Sequence, residues 1–151
     1  MARKTPSVAR LAKALEALNR RIATDLCLPS LRERPAGVRG HAYRFFLVLP
    51  LYSADGQPVF TAEHLKELFL TFNSRFGGSL AASSRSGAPF FGEYLPEGST
   101  PVRDYHTVII VYASPIEPSD AFFEELKAIL KKAPRIEQDE ILIERCEVFL
   151  V

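Results

Sequence analysis

Tyr43-Arg44-Phe45-Phe46-Leu47-Val48-Leu49-Pro50-Leu51-Tyr52 is the stretch on which the fold turns. Side chains alternate across an extended chain, so Tyr43, Phe45, Leu47, Leu49 and Leu51 share one face and Phe46, Val48 and Tyr52 the other. Both faces are apolar, which predicts a strand inside a sheet rather than one with a wet side. The run is far shorter than the ~20 residues a helix needs to cross a bilayer, so no membrane span is expected.

Downstream, Ser53-Ala54-Asp55-Gly56-Gln57-Pro58 has turn chemistry. Thr61 then reads as the N-cap of a helix, with Phe60 placed to pack on Leu65 and with Leu65, Leu68, Phe69, Phe72 and Phe76 as its buried stripe. Gly77 suits the left-handed residue that ends such a helix. Ser79 to Arg85 and Phe90 to Leu95 read as two pieces of one interrupted strand, with Ser86-Gly87-Ala88-Pro89 as a bulge or turn between them. After a loop at 96–101, Tyr105 to Ala113 is again apolar on both faces. A second body helix starts near Pro118, buries Phe122, Leu126, Ile129, Leu130 and Ala133, and stops before Pro134. Glu140 to Val151 is the last strand, read as apolar on two faces, with Cys146 as a small core residue.

Upstream, Val8, Leu11, Leu15, Leu18, Ile22 and Leu26 recur at spacings of three and four, the stripe of an amphipathic helix from Pro6 to Cys27. Pro29 to Gly40, with two prolines and two glycines, is a linker. With that helix set aside, the order is strand, helix, strand, strand, helix, strand. The expectation is an α+β fold: a ferredoxin-like β-α-β-β-α-β sandwich with an additional N-terminal amphipathic helix, divided as a basic helix and linker at 1–40 and a ferredoxin-like domain at 41–151. In that topology the first and third strands are central, and here they carry the longest apolar runs.

A net charge of +1 conceals a split: residues 1–40 carry nine basic and three acidic side chains, a net of +6, and the rest of the chain a net of −5. A basic arm on an acidic body implies an anionic partner, or docking on a body, its own or a neighbour's. Two cysteines, Cys27 and Cys146, are too few for a disulfide-built secreted domain, and no apolar leader follows the basic N-terminus, so a cytoplasmic location is expected.

Arg75-Phe76-Gly77-Gly78-Ser79, then Gly92-Glu93-Tyr94, then Asp104 opening a strand, resemble a pattern of small uncharacterised bacterial ferredoxin-like proteins. That resemblance implies a fold and no activity. The glycines at 77 and 78 follow a helix instead of preceding one, so they are not a phosphate loop. His41, His64 and His106 lack metal-ligand spacing, and neither a metal nor a cofactor is expected. Asp104 and His106, two apart on a strand, could act as an oriented carboxylate and imidazole; with Tyr94, and with Arg85 as an anion-binding guanidinium, they are the candidate polar site.

Three readings of function follow. The favoured one is a non-catalytic binding or assembly module that is homo-oligomeric through its sheet face and N-terminal helix, because a sheet apolar on both faces needs a second cover. The next is a small enzyme or ligand sensor with a pocket beside Arg85, Tyr94, Asp104 and His106. The least favoured is nucleic-acid binding through the basic helix, which has no interleaved aromatics and would have to overcome the acidic body.

Overall fold

A computed structural model describes residues 6–26, 40–52, 56–76, 80–81, 90–94, 102–113, 117–132 and 141–151. Helix α1 (Pro6–Leu26) is followed by β1 (Gly40–Pro50), α2 (Ala62–Phe76), the short strands β2 (Leu80–Ala81) and β3 (Phe90–Tyr94), then β4 (Val102–Ala113), α3 (Glu117–Lys132) and β5 (Leu142–Leu150). The fold is α+β, with, among the described residues, three helices and an antiparallel sheet ordered β2-β4-β1-β5, β3 pairing with the same β4. β1 pairs β4 with Phe45 opposite Val111 and Leu47 opposite Ile109, and pairs β5 with Phe45 opposite Arg145 and Leu47 opposite Ile143.

One face of the sheet makes the core. Phe45, Leu47, Leu49, Ile109, Val111 and Ala113 are buried there against Leu68 and Phe72 of α2 and Phe122, Phe123, Leu126 and Leu130 of α3. The rings interlock: Phe123 stacks on Phe45 with centroids 3.8 Å apart, and Phe122 meets Phe76 edge to face at 5.4 Å. The alternation in β1 is what produces this layer, since every second residue is delivered to the same side.

α1 docks on this same unit. Its contacts run to both α2 and α3, and Val8, Leu11, Leu15, Leu18 and Ile22 are all buried. Arg21 of α1 pairs with Glu125 of α3. The basic helix therefore packs on its own body, apolar stripe inward, and its charge is answered in part by an acidic side chain of that body. Because α1 lies over the helices, it does not serve as the cover of the second sheet face.

That second face carries Arg44, Phe46, Val48, Ile110 and Tyr112, each half-buried. β5 differs from its reading as a strand with two buried faces. Ile141 is buried and Ile143 packs on the core, but Leu142, Glu144, Arg145, Cys146, Glu147 and Phe149 are exposed. Cys146 is correspondingly an exposed free thiol rather than a core residue. The cause is the strand order: β5 is the sheet's outer strand next to β1, and among the described residues no strand pairs with its outer edge. β1 begins three residues before the sequence pattern suggests, at Gly40, whose φ of 139° is open to glycine. Gly56 has a φ of 81°, open to glycine, and Tyr52 bridges Pro58.

Candidate functional site

Where β5 runs past the first turns of α3, the layer of helices does not fully cover the sheet, and a cleft of about 390 Å³ opens. Its apolar lining is Phe45, Phe123 and Ile143; its charged lining is Asp120, Glu124, Lys127 and Arg145. Arg145 fixes one wall. Its Nη1 donates to Asp120 Oδ2 at 2.5 Å, and its guanidinium carbon lies 4.3 Å from the centroid of the Tyr43 ring. Such a site, an apolar floor within a charged border, suits an apolar side chain or ring from a partner. Among the described residues, no imidazole, hydroxyl or thiol lines it.

A second constellation, buried, joins α1 to α2. Thr61 caps α2, and His64 at the third helical position reaches back: its Nδ1 accepts from the Thr61 backbone N–H at 3.1 Å and lies 2.8 Å from Thr61 Oγ1. This is a capping box with histidine in the place usually held by glutamate or glutamine. A backbone N–H can only donate, so Nδ1 is unprotonated and the ring proton sits on Nε2, which faces Ser7 Oγ at 3.1 Å. Ser7 therefore accepts from His64, the reverse of what a serine nucleophile and its base require. Burial pushes the imidazole pKa down, against a smaller raising effect of Glu63.

At the other end of α2, Arg75 is enclosed between helices. Its Nη1 donates to Asn19 Oδ1 of α1 at 3.1 Å, and its guanidinium carbon lies 4.5 Å from the Phe122 centroid and 5.8 Å from that of Phe76. Nε and Nη2 are buried without a hydrogen-bond partner, and desolvation lowers the pKa to about 10, so the group stays cationic at neutral pH. Both groups link α2 to α1, His64 through Ser7 and Arg75 through Asn19.

Of the sequence candidates, Tyr94, Asp104 and His106 lie on two neighbouring strands: β3 pairs β4 with Tyr94 opposite Val102, Gly92 opposite Asp104 and Phe90 opposite His106. His106 also stands opposite Pro50 of β1 and is half-buried. Arg85 lies outside the described residues. Among the described residues, no three His, Cys, Asp or Glu side chains are grouped to hold a metal, and no helix is long and apolar enough to cross a membrane.

No protein-family model matches the chain, and no curated protein sequence matches it. Among solved structures the chain is similar to a phage SAM lyase in complex with S-methyl-5'-thioadenosine, at 18% identity and a TM-score of 0.46, over 76% of this chain and 86% of that one.

Proposed function

We propose that the chain is a non-catalytic binding and assembly module, built as a ferredoxin-like β-α-β-β-α-β unit with an added N-terminal helix, and that it works as a homo-oligomer. The strand order β2-β4-β1-β5, antiparallel at every pairing, supports that topology when β2 and β3 are taken together as its second strand. The observation that carries the functional reading is the outer strand β5. It exposes Leu142 at 45% and Phe149 at 69%, large apolar side chains on a strand whose outer edge no other strand pairs among the described residues. The buried polar groups support it too, since His64 and Arg75 are engaged with Ser7 and Asn19 of α1. Light scattering at micromolar concentration tests the reading: a mass that is a multiple of 16.9 kDa is expected, and a monomer at every concentration overturns it.

The ligand-site alternative rests on the register that sets Tyr94 and Asp104 on adjoining strands with His106 two residues on. A metabolite panel followed by the His106 ring signals in NMR tests it. Shifts confined to His106 and its neighbours would favour this reading over assembly.

A further inference from the structure

We infer that two copies of the chain pair through their β5 strands, antiparallel about a two-fold axis at Cys146, and so join two sheets into one. This rests on the assembly reading above and names its interface.

The outer edge of β5 is nine residues long and, among the described residues, has no strand paired with it, so its backbone groups are offered to another strand. A two-fold axis normal to the sheet keeps both helix layers on one side and requires some residue to face its own copy. Centring the axis on Glu144, Arg145 or Glu147 sets a charge against itself, which cross-strand pairing penalises. Centring it on Cys146 does the opposite. Arg145 then stands opposite Glu147 of the partner subunit, and the pair occurs twice; Ile143 faces Phe149 of the partner subunit, and Leu142 faces Leu150 of the partner subunit. The run Leu-Ile-Glu-Arg-Cys-Glu-Val-Phe-Leu from 142 to 150 reads nearly the same in apolar pattern from either end, and Glu144 opposite Val148 of the partner subunit is its one mismatch.

The cleft supplies an independent observation. Ile143 is part of its wall, with Phe45 and Phe123. Phe149 shares the parity of Ile143 along β5 and is 69% exposed in one copy. In this register each Phe149 is delivered beside Ile143 of the other copy, at the mouth of the cleft with its apolar floor of Phe45, Phe123 and Ile143. The exposed aromatic ring of the strand thus meets the apolar floor of a charge-bordered cleft, and Arg145, already fixed to Asp120, is presented to Glu147 of the partner subunit.

The test uses the full chain and two single variants, Arg145→Glu and Glu147→Arg, each checked for a native circular dichroism spectrum. The native protein should run as a dimer. Each variant alone puts like charges opposite each other twice and should weaken dimerisation roughly tenfold or more. Mixed in equal amounts, the two restore opposite charges at both positions and should form a heterodimer. In a Cys27→Ser background, copper-phenanthroline as oxidant should convert the two Cys146 thiols to one disulfide, because directly paired residues lie roughly 4.5–5.5 Å apart at Cα, within disulfide range. A native dimer that ignores both substitutions and does not cross-link at Cys146 overturns the β5 pairing and leaves the assembly reading standing. A native monomer overturns both.

Discussion

His64 couples a helix cap to the docking of another helix, and its chemistry sets a pH dependence. The folded pKa lies below the ordinary 6.5 because burial disfavours the imidazolium, and a second ring proton would also face the Thr61 N–H. Between the two values the unfolded chain binds the extra proton, so this stabilisation is complete above pH 6.5 and is lost as pH falls from 6.5 toward the folded value. Thermal unfolding should show a midpoint that drops across that window, and His64→Gln, which keeps a capping-box acceptor without a titrating group, should flatten it. An equal drop in both proteins would assign the pH dependence to other groups. Arg75 makes a different prediction. A buried cation with two unpartnered nitrogens gains little, so Arg75→Met should leave the unfolding midpoint unchanged or raise it. Asn19→Ala removes its hydrogen-bond acceptor and should cost about 1–3 kcal/mol. Urea denaturation of the two variants decides between fastener and strain. Neither role was legible in the sequence. His64 stood on the buried i, i+4, i+8 line with Leu68 and Phe72, but only the position of α1 reveals Ser7. Arg75 has the look of a basic residue solvated at a helix C-terminus, and the ring of Phe122 on α3 is what encloses it.

At the level of elements, the core depends on α2 and α3 seated on β1 and β4. Phe72 is fully buried and within ring contact of Phe76 and Phe123, so Phe72→Ala should cost about 3–5 kcal/mol by chemical denaturation. An unchanged midpoint would place the core elsewhere. Leu15, buried at 1% exposure on α1, should cost about 2–5 kcal/mol when cut to Ala, which distinguishes a helix integral to the core from a detachable arm. These two helices and the two central strands were legible because their signals are local: a period near 3.6 for Leu11, Leu15, Leu18 and Ile22, and runs apolar on both faces for β1 and β4. β5 was misread for a physical reason. Its apolar ends, Leu142-Ile143 and Val148-Phe149-Leu150, carried the reading, while Glu144, Arg145 and Glu147 at its centre mark a strand exposed at the sheet's outer position, which depends on every other strand. The register of Tyr94 against Val102 likewise comes from the pairing of β3 with β4 and not from either segment alone.

For the whole molecule, the charge split found in the sequence is answered across the α1–α3 contact by Arg21 and Glu125 among the described residues. α1 is buried along one stripe, and of its basic side chains Arg21 reaches Glu125 and Arg20 lies 3.6 Å from Glu16. Exposed pairs of this kind contribute little, so the leucines hold the helix and the charges orient it. A chain beginning at His41 should therefore lose cooperative unfolding and bind an apolar dye, because the surfaces of α2 and α3 that α1 covers would meet water. A shortened chain that stays soluble with the native melting profile would show that α1 is dispensable.

The sheet's wiring has a consequence for synthesis. β1 is complete at Pro50, yet the strands on its two sides are β4, which ends at Ala113, and β5, which ends at Leu150. A ribosome delivers the most apolar strand early and its second neighbour last. Throughout elongation Phe45, Leu47 and Leu49 wait without their lateral partners, in a chain whose pairings are long-range and slow to close. Until β5 emerges, β1 has an open side that a neighbouring nascent chain could occupy, so the last strand acts as a latch: the same residues that present an edge to the outside close the one within.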